Sequence, residues 1–187
     1  MKIEDGLGTG KLVKVNSNHK LEVEAVTISE QHNIAIETQS TFQISGEITI
    51  GTSETTVITL KNTHSTKDVI ITYIRVMSIG AAVSNASAYF NVKLGGEYAS
   101  GGTAITSVNM YTDSPVTATV ESYEGSGTAI VMGGTPVEID RNYTANSMQS
   151  YGKEGSVIVP KNSSISITHK GSTVAGTAYA RISYYME

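Results

Sequence analysis

The chain has 187 residues, 13 Lys or Arg against 17 Asp or Glu, and no cysteine. That length fits one domain, or one domain with an appendage, and can bury a core without staples. A net charge of −4 with no basic run argues against nucleic acid as a partner, and the missing cysteines exclude disulfides and thiolate chemistry.

The first residues, Met1 to Gly6, lack the apolar core of a signal peptide, and no apolar run approaches the ~20 residues of a membrane helix. The expectation is a protein made in a cytoplasm, with no membrane contact. The sequons at Asn85, Asn142 and Asn162 are then chance matches. Serine and threonine make up roughly a quarter of the chain, a bias that suits half-exposed strands.

In chain order, the first motif is Gly6 to Lys11, GLGTGK. A phosphate loop would need glycine where Asp5 stands and a hydroxyl where Leu12 stands. A dinucleotide fingerprint would need a helix next, whereas Lys11 to Val15 reads as a strand, followed by an Asn16-Ser17-Asn18 turn and the alternating Leu21 to Ala25. The stretch is therefore read as a glycine hinge before a hairpin, with no nucleotide and no other cofactor. Gly6, Gly8 and Gly10 would let an arm built on Val13, Val15, Leu21 and Val23 swing out. A lone hairpin is marginal in water, so this arm is expected to need a partner surface, such as the edge of another sheet.

Residues 27–40 form a connector: Thr27 to Glu30 could cap a helix, but His32, Ile34 and Ile36 alternate like a strand. The chain accordingly divides into an arm, hairpin and connector over 1–40 and a body over 41–187. Thr55 to Lys61 and Val69 to Met77 are apolar on both faces, as in the middle of a sheet or under an interface. Phe90, Val92 and Leu94 alternate with Tyr89, Asn91 and Lys93, and Val116, Ala118 and Val120 with Thr117, Thr119 and Glu121. Ile165 and Ile167 alternate with Ser164, Ser166 and Thr168. At the end, Ala178, Ala180, Ile182 and Tyr184 oppose Tyr179, Arg181, Ser183 and Tyr185. Gly, Asn and Pro turns separate these runs. The pattern predicts an all-β, two-sheet β-sandwich of jelly-roll type, with the aliphatic set inward.

No catalytic constellation emerges, so the chain is expected not to be an enzyme. No Gly-x-Ser-x-Gly elbow occurs, and His19, His32, His64 and His169 stand in separate segments, without metal-ligand spacing. Each is read as a solvated histidine. Glu138 and Asp140 would share a strand face, but calcium needs more oxygens than they supply. No metal is expected. The aromatic load is ten tyrosines, two phenylalanines and no tryptophan. Tyr73 with Arg75, and Tyr179 with Arg181 and Tyr185, put the residue types enriched at interfaces on outward strand faces.

The opening stretch also carries a resemblance. Gly8, Gly10, Val13-Lys14-Val15, Asn18, Lys20-Leu21 and Val26-Thr27 follow the pattern with which a group of small tailed-bacteriophage virion structural proteins begins. The likeness continues through GEITIGTSETTVITLKN, SGGTAITSVNMY and VIVPKNSSISI. It implies a capsid decoration or cement protein, made in the host cytoplasm and carried on the virion's capsid surface. Its partners would be the major capsid protein and further copies of itself, a trimer being favoured. The alternative it leaves is a tail-fibre, spike or baseplate module that grips a host receptor or glycan.

Overall fold

A computed structural model describes residues 38–80, 88–143, 149–172 and 176–187, all within one unit, Gln31–Glu187. The expected hinge at Gly6 to Lys11 and the arm residues Gly6, Gly8, Gly10, Val13, Val15, Leu21 and Val23 lie outside the described residues, as do His19 and His32.

The alternating runs become long strands: β1 (Thr41–Thr49), β2 (Thr55–Asn62), β3 (Val69–Ile79) and β4 (Tyr89–Leu94). Short pieces follow: β5 (Glu97–Ser100), β6 (Thr103–Ala104), β7 (Val108–Asn109), β8 (Val120–Glu124) and β9 (Val131–Gly133). Then come β10 (Val137–Tyr143), β11 (Gln149–Val159), β12 (Ser164–Lys170) and β13 (Thr177–Met186). One sheet has the order β11-β3-β13-β1-β7, the other β10-β4-β12-β2-β8-β6, and β5 pairs with β9 apart from both. Every pairing is antiparallel.

The two large sheets pack as a sandwich around one apolar core, which gathers Phe42, Ile44, Ile58, Leu60, Ile71, Ile74, Phe90, Val92, Ile165, Ile167 and Ile182. Register follows from the alternation, since a one-residue slip would turn this set to water. Both doubly apolar runs lie inside their sheets, β2 between β12 and β8 and β3 between β11 and β13.

Local structure departs from simple alternation at identifiable places. Val116 and Ala118 do pack against the core, but residues 114–119 belong to no strand, and β8 starts only at Val120. The turn after β2 is built by Asn62, whose amide donates to Lys67 O and Val159 O while its carbonyl receives His64 N–H. His64 Nδ1 in turn receives the amides of Thr66 and Lys67, so this half-buried histidine is a turn residue with a structural task.

His169 corrects the expectation of a solvated histidine: it is 1% exposed, with its ring 4.4 Å from that of Phe90. Its position on β12, two after Ile167, continues the inward face. Glu138 and Asp140 are also corrected. A bulge between them sets Glu138 opposite Lys93 and Asp140 opposite Val92, hence on opposite faces.

Within residues 95–136, β6, β7 and β8 extend the edges of the two sheets, and the β5–β9 pair lies over the outer face of the six-stranded sheet. Tyr98 stacks on Tyr123 with ring centroids 3.8 Å apart, and Thr56 bridges to Ile130. At the flap's hinge Gly101 has φ +81°, and a Cβ there would lie 2.0 Å from Ala129 O, so only glycine fits.

Candidate functional site: a facing arginine pair

Strand pairing joins two faces that the sequence presents separately. Across β3 and β13, Arg75 stands directly opposite Arg181, Tyr73 opposite Ser183 and Met77 opposite Tyr179. β1 extends the rows, with Ser45 opposite Arg181 and Glu47 opposite Tyr179. All of these point away from the core, because Ile74, Val76, Ala180 and Ile182 between them are buried inside it. Tyr73, Arg75, Tyr179 and Arg181 are half-buried. Tyr185 is not part of this open surface; it is 4% exposed and packed with Ile70.

Like charges directly opposite on neighbouring strands destabilise a sheet. None of the close ion pairs among the described residues involves Arg75 or Arg181, although Glu47 stands diagonal to Arg181 on the same face. Arg75 leans on Tyr73, with Cζ 5.5 Å from the ring centroid and Nη2 donating to the phenol oxygen at 3.5 Å, while its Nε is buried without a partner. Hydrogen bonding from Ser150, then from Arg75, holds the Tyr73 hydroxyl below the usual tyrosine range. A cleft of about 460 Å³ is lined by both arginines, Tyr179, Glu47 and Glu124. Glu124 is already engaged, receiving Glu47 N–H and the Ser126 hydroxyl. The arrangement can receive carboxylates between two guanidiniums, with tyrosine faces beside them.

The outer face of the other sheet is arranged differently. Glu54 receives Lys93 Nζ at 2.6 Å, Asn91 Nδ2 at 3.0 Å and the Thr168 hydroxyl, all on Oε1. Burial works against its charge, but the bonds from Lys93, Thr168 and Asn91 and the charge of Lys93 outweigh it, and the carboxyl sits below its usual range. Arg141 donates to Asn91 Oδ1 and to Glu138 on this face, whereas Asp140, on the opposite face, binds Lys153 of β11 in the other sheet. Among the described residues no group of three or more His, Asp or Glu could hold a metal ion.

Sequence reasoning selected Tyr73, Arg75, Tyr179 and Arg181 from alternation and residue type. It could not see that they meet. The Glu54 cluster escaped it, because Glu54 precedes β2 in a turn and its partners come from β4 and β12. No protein-family model matches the chain, and neither curated proteins nor solved structures give a significant match.

Proposed function

We propose that the chain is a bacteriophage virion structural protein, a decoration or cement protein that docks on the major capsid protein through the outer face of β3 and β13. The observation that carries this reading is the Arg75–Arg181 pair, two facing cations that make no close ion pair among the described residues. Such a face is unfavourable in the free protein and is relieved by an acidic partner surface. The head location rests on the resemblance of the N-terminal motif. The finer fold reading is a jelly roll, supported by the orders β11-β3-β13-β1 and β10-β4-β12-β2, in which the long strands alternate between sheets except from β4 to β10. Jelly rolls recur in capsid and lectin domains, which is an analogy of fold alone.

On this reading the protein is no enzyme, binds no cofactor and assembles as a trimer matching three-fold positions of a shell. Facing arginines make self-pairing of this surface costly, so the trimer contact lies elsewhere. Cryo-electron microscopy of intact particles of the phage that encodes the chain tests the proposal. Density for the sandwich on the head, with β3 and β13 toward the shell, is the expected result. Density only on the tail would replace it with the host-attachment reading.

A further inference from the structure

A second site lies on the opposite sheet, beneath the β5–β9 flap, and its case is independent of the docking face. The floor consists of strand residues that alternation assigns to solvent, yet Thr59, Asn91 and Ser166 are at most 1% exposed and Thr168 is 5% exposed. Burying a polar sheet face is unfavourable unless its groups find partners. Most do: Thr59 donates to Ile165 O, and Asn91 and Thr168 bind Glu54. Ser166 Oγ is buried with no partner. Between floor and flap is a cleft of about 230 Å³, with Glu54, Lys93, Ser166 and Thr168 on the sheet side and Met132 and Pro136 on the flap side.

The chemistry of this lining is selective. Glu54 Oε1 is filled by three donors that fix the carboxylate, whereas no hydrogen bond of Oε2 occurs among the described residues. Glu54 and Lys93 cancel in charge. An anion entering the cleft meets Glu54 and a cation meets Lys93, so neither is favoured. A neutral hydroxyl suits both, because it donates to the carboxylate and accepts from the ammonium at once. A neighbouring hydroxyl on the same molecule would reach Ser166, and Met132 and Pro136 would cover the C–H side of a ring. Water fills polar sites too, but each molecule occupies only about 30 Å³. The cleft thus has room for one ring-sized ligand.

We propose that the cleft under the β5–β9 flap binds one neutral saccharide unit through Glu54, Lys93 and Ser166. Glu54 accepts one hydroxyl proton, Lys93 donates to that oxygen, and Ser166 pairs with the next hydroxyl. The site would serve a protein that also touches a glycan-coated surface, whichever part of the particle carries it.

The test uses the full chain with methyl-labelled methionine, following the Met132 methyl resonance. Probes are methyl α-D-glucopyranoside, methyl α-D-mannopyranoside, methyl β-D-galactopyranoside and N-acetylglucosamine, with methyl glucuronide as the charged control. The expected result is a saturable Met132 shift with at least one neutral probe, while exposed Met110 and the glucuronide titration stay flat. Ser166→Val removes a hydroxyl that has no partner, so it should keep the thermal midpoint and weaken binding about tenfold, the value of one lost hydrogen bond. Glu54→Gln should weaken it at least as much. The proposal is overturned if no probe moves Met132 at high millimolar concentration, or if Ser166→Val binds as the wild type does. It is equally overturned if a saccharide-soaked crystal shows only water on Glu54 and Ser166. Failure on any of these counts would leave the arginine face untouched.

Discussion

The two outer faces of this sandwich start from the same strand alternation and end in opposite states. On the six-stranded sheet a flap covers the floor, and the charges beside it are matched, Glu54 with Lys93 and Glu138 with Arg141. On the five-stranded sheet Arg75 faces Arg181, and neither makes a close ion pair among the described residues. The contrast separates structural from functional polarity. A face that the chain covers for itself pairs most of its own groups, whereas facing cations are what the proposed docking would relieve. Composition alone would not distinguish them, because both strand sets are rich in Ser, Thr and charged residues.

Perturbing what the two sheets share should have the largest effect. Ile167→Ala empties a position that is fully buried between them and should cost about 2–5 kcal/mol in chemical denaturation. Acid should act on the same layer through His169, whose burial pushes its pKa down to about 4. The unfolded chain then binds a proton that the folded one does not between about pH 6.5 and pH 4, so stability falls as pH drops through that window, by about 3 kcal/mol in all. His169→Leu should flatten this part of the stability–pH curve; an unchanged acid limb would show that other groups dominate it.

Smaller changes should fall on one face only. Gly101→Ala places a Cβ against Ala129 O and should loosen the flap. Hydrogen exchange should rise in β5 and β9 and stay low in β3 and β13, whereas a global rise would contradict a separable flap. The smallest effect is expected on the open face. Arg181→Gln removes one of two facing cations and should leave the free protein unchanged or stabilise it by about 0.2–1 kcal/mol, most visibly at low salt. A clear destabilisation would mean that Arg181 has a structural task.

Most of the sandwich is legible in the sequence because the signal is local. Phe90 and Val92, Ile165 and Ile167, and the inward set of the last strand are all placed by period-two alternation. What escaped is non-local. The burial of Ser166 and Thr168 depends on the β5–β9 flap, and nothing near β12 announces it. The bulge that separates Glu138 from Asp140 has no signature in VEID. His169 stands before Lys170-Gly171 and so resembles a turn residue, although the inward parity of Ile165 and Ile167 reaches it. The arginine site was half legible: alternation marked Tyr73 with Arg75 and Tyr179 with Arg181 as outward, but their meeting depends on β3 pairing with β13, a contact across more than a hundred residues.

The central claim, that the open face is a docking surface for an acidic partner, is tested most directly by counting copies bound to capsids. Particles lacking the protein would be incubated with wild type or with Arg75→Glu/Arg181→Glu, and occupancy read by cryo-electron microscopy at low and moderate salt. The account predicts saturating wild-type occupancy that falls with salt, and near-complete loss for the double variant at an unchanged thermal midpoint. Wild-type occupancy by the double variant would contradict it.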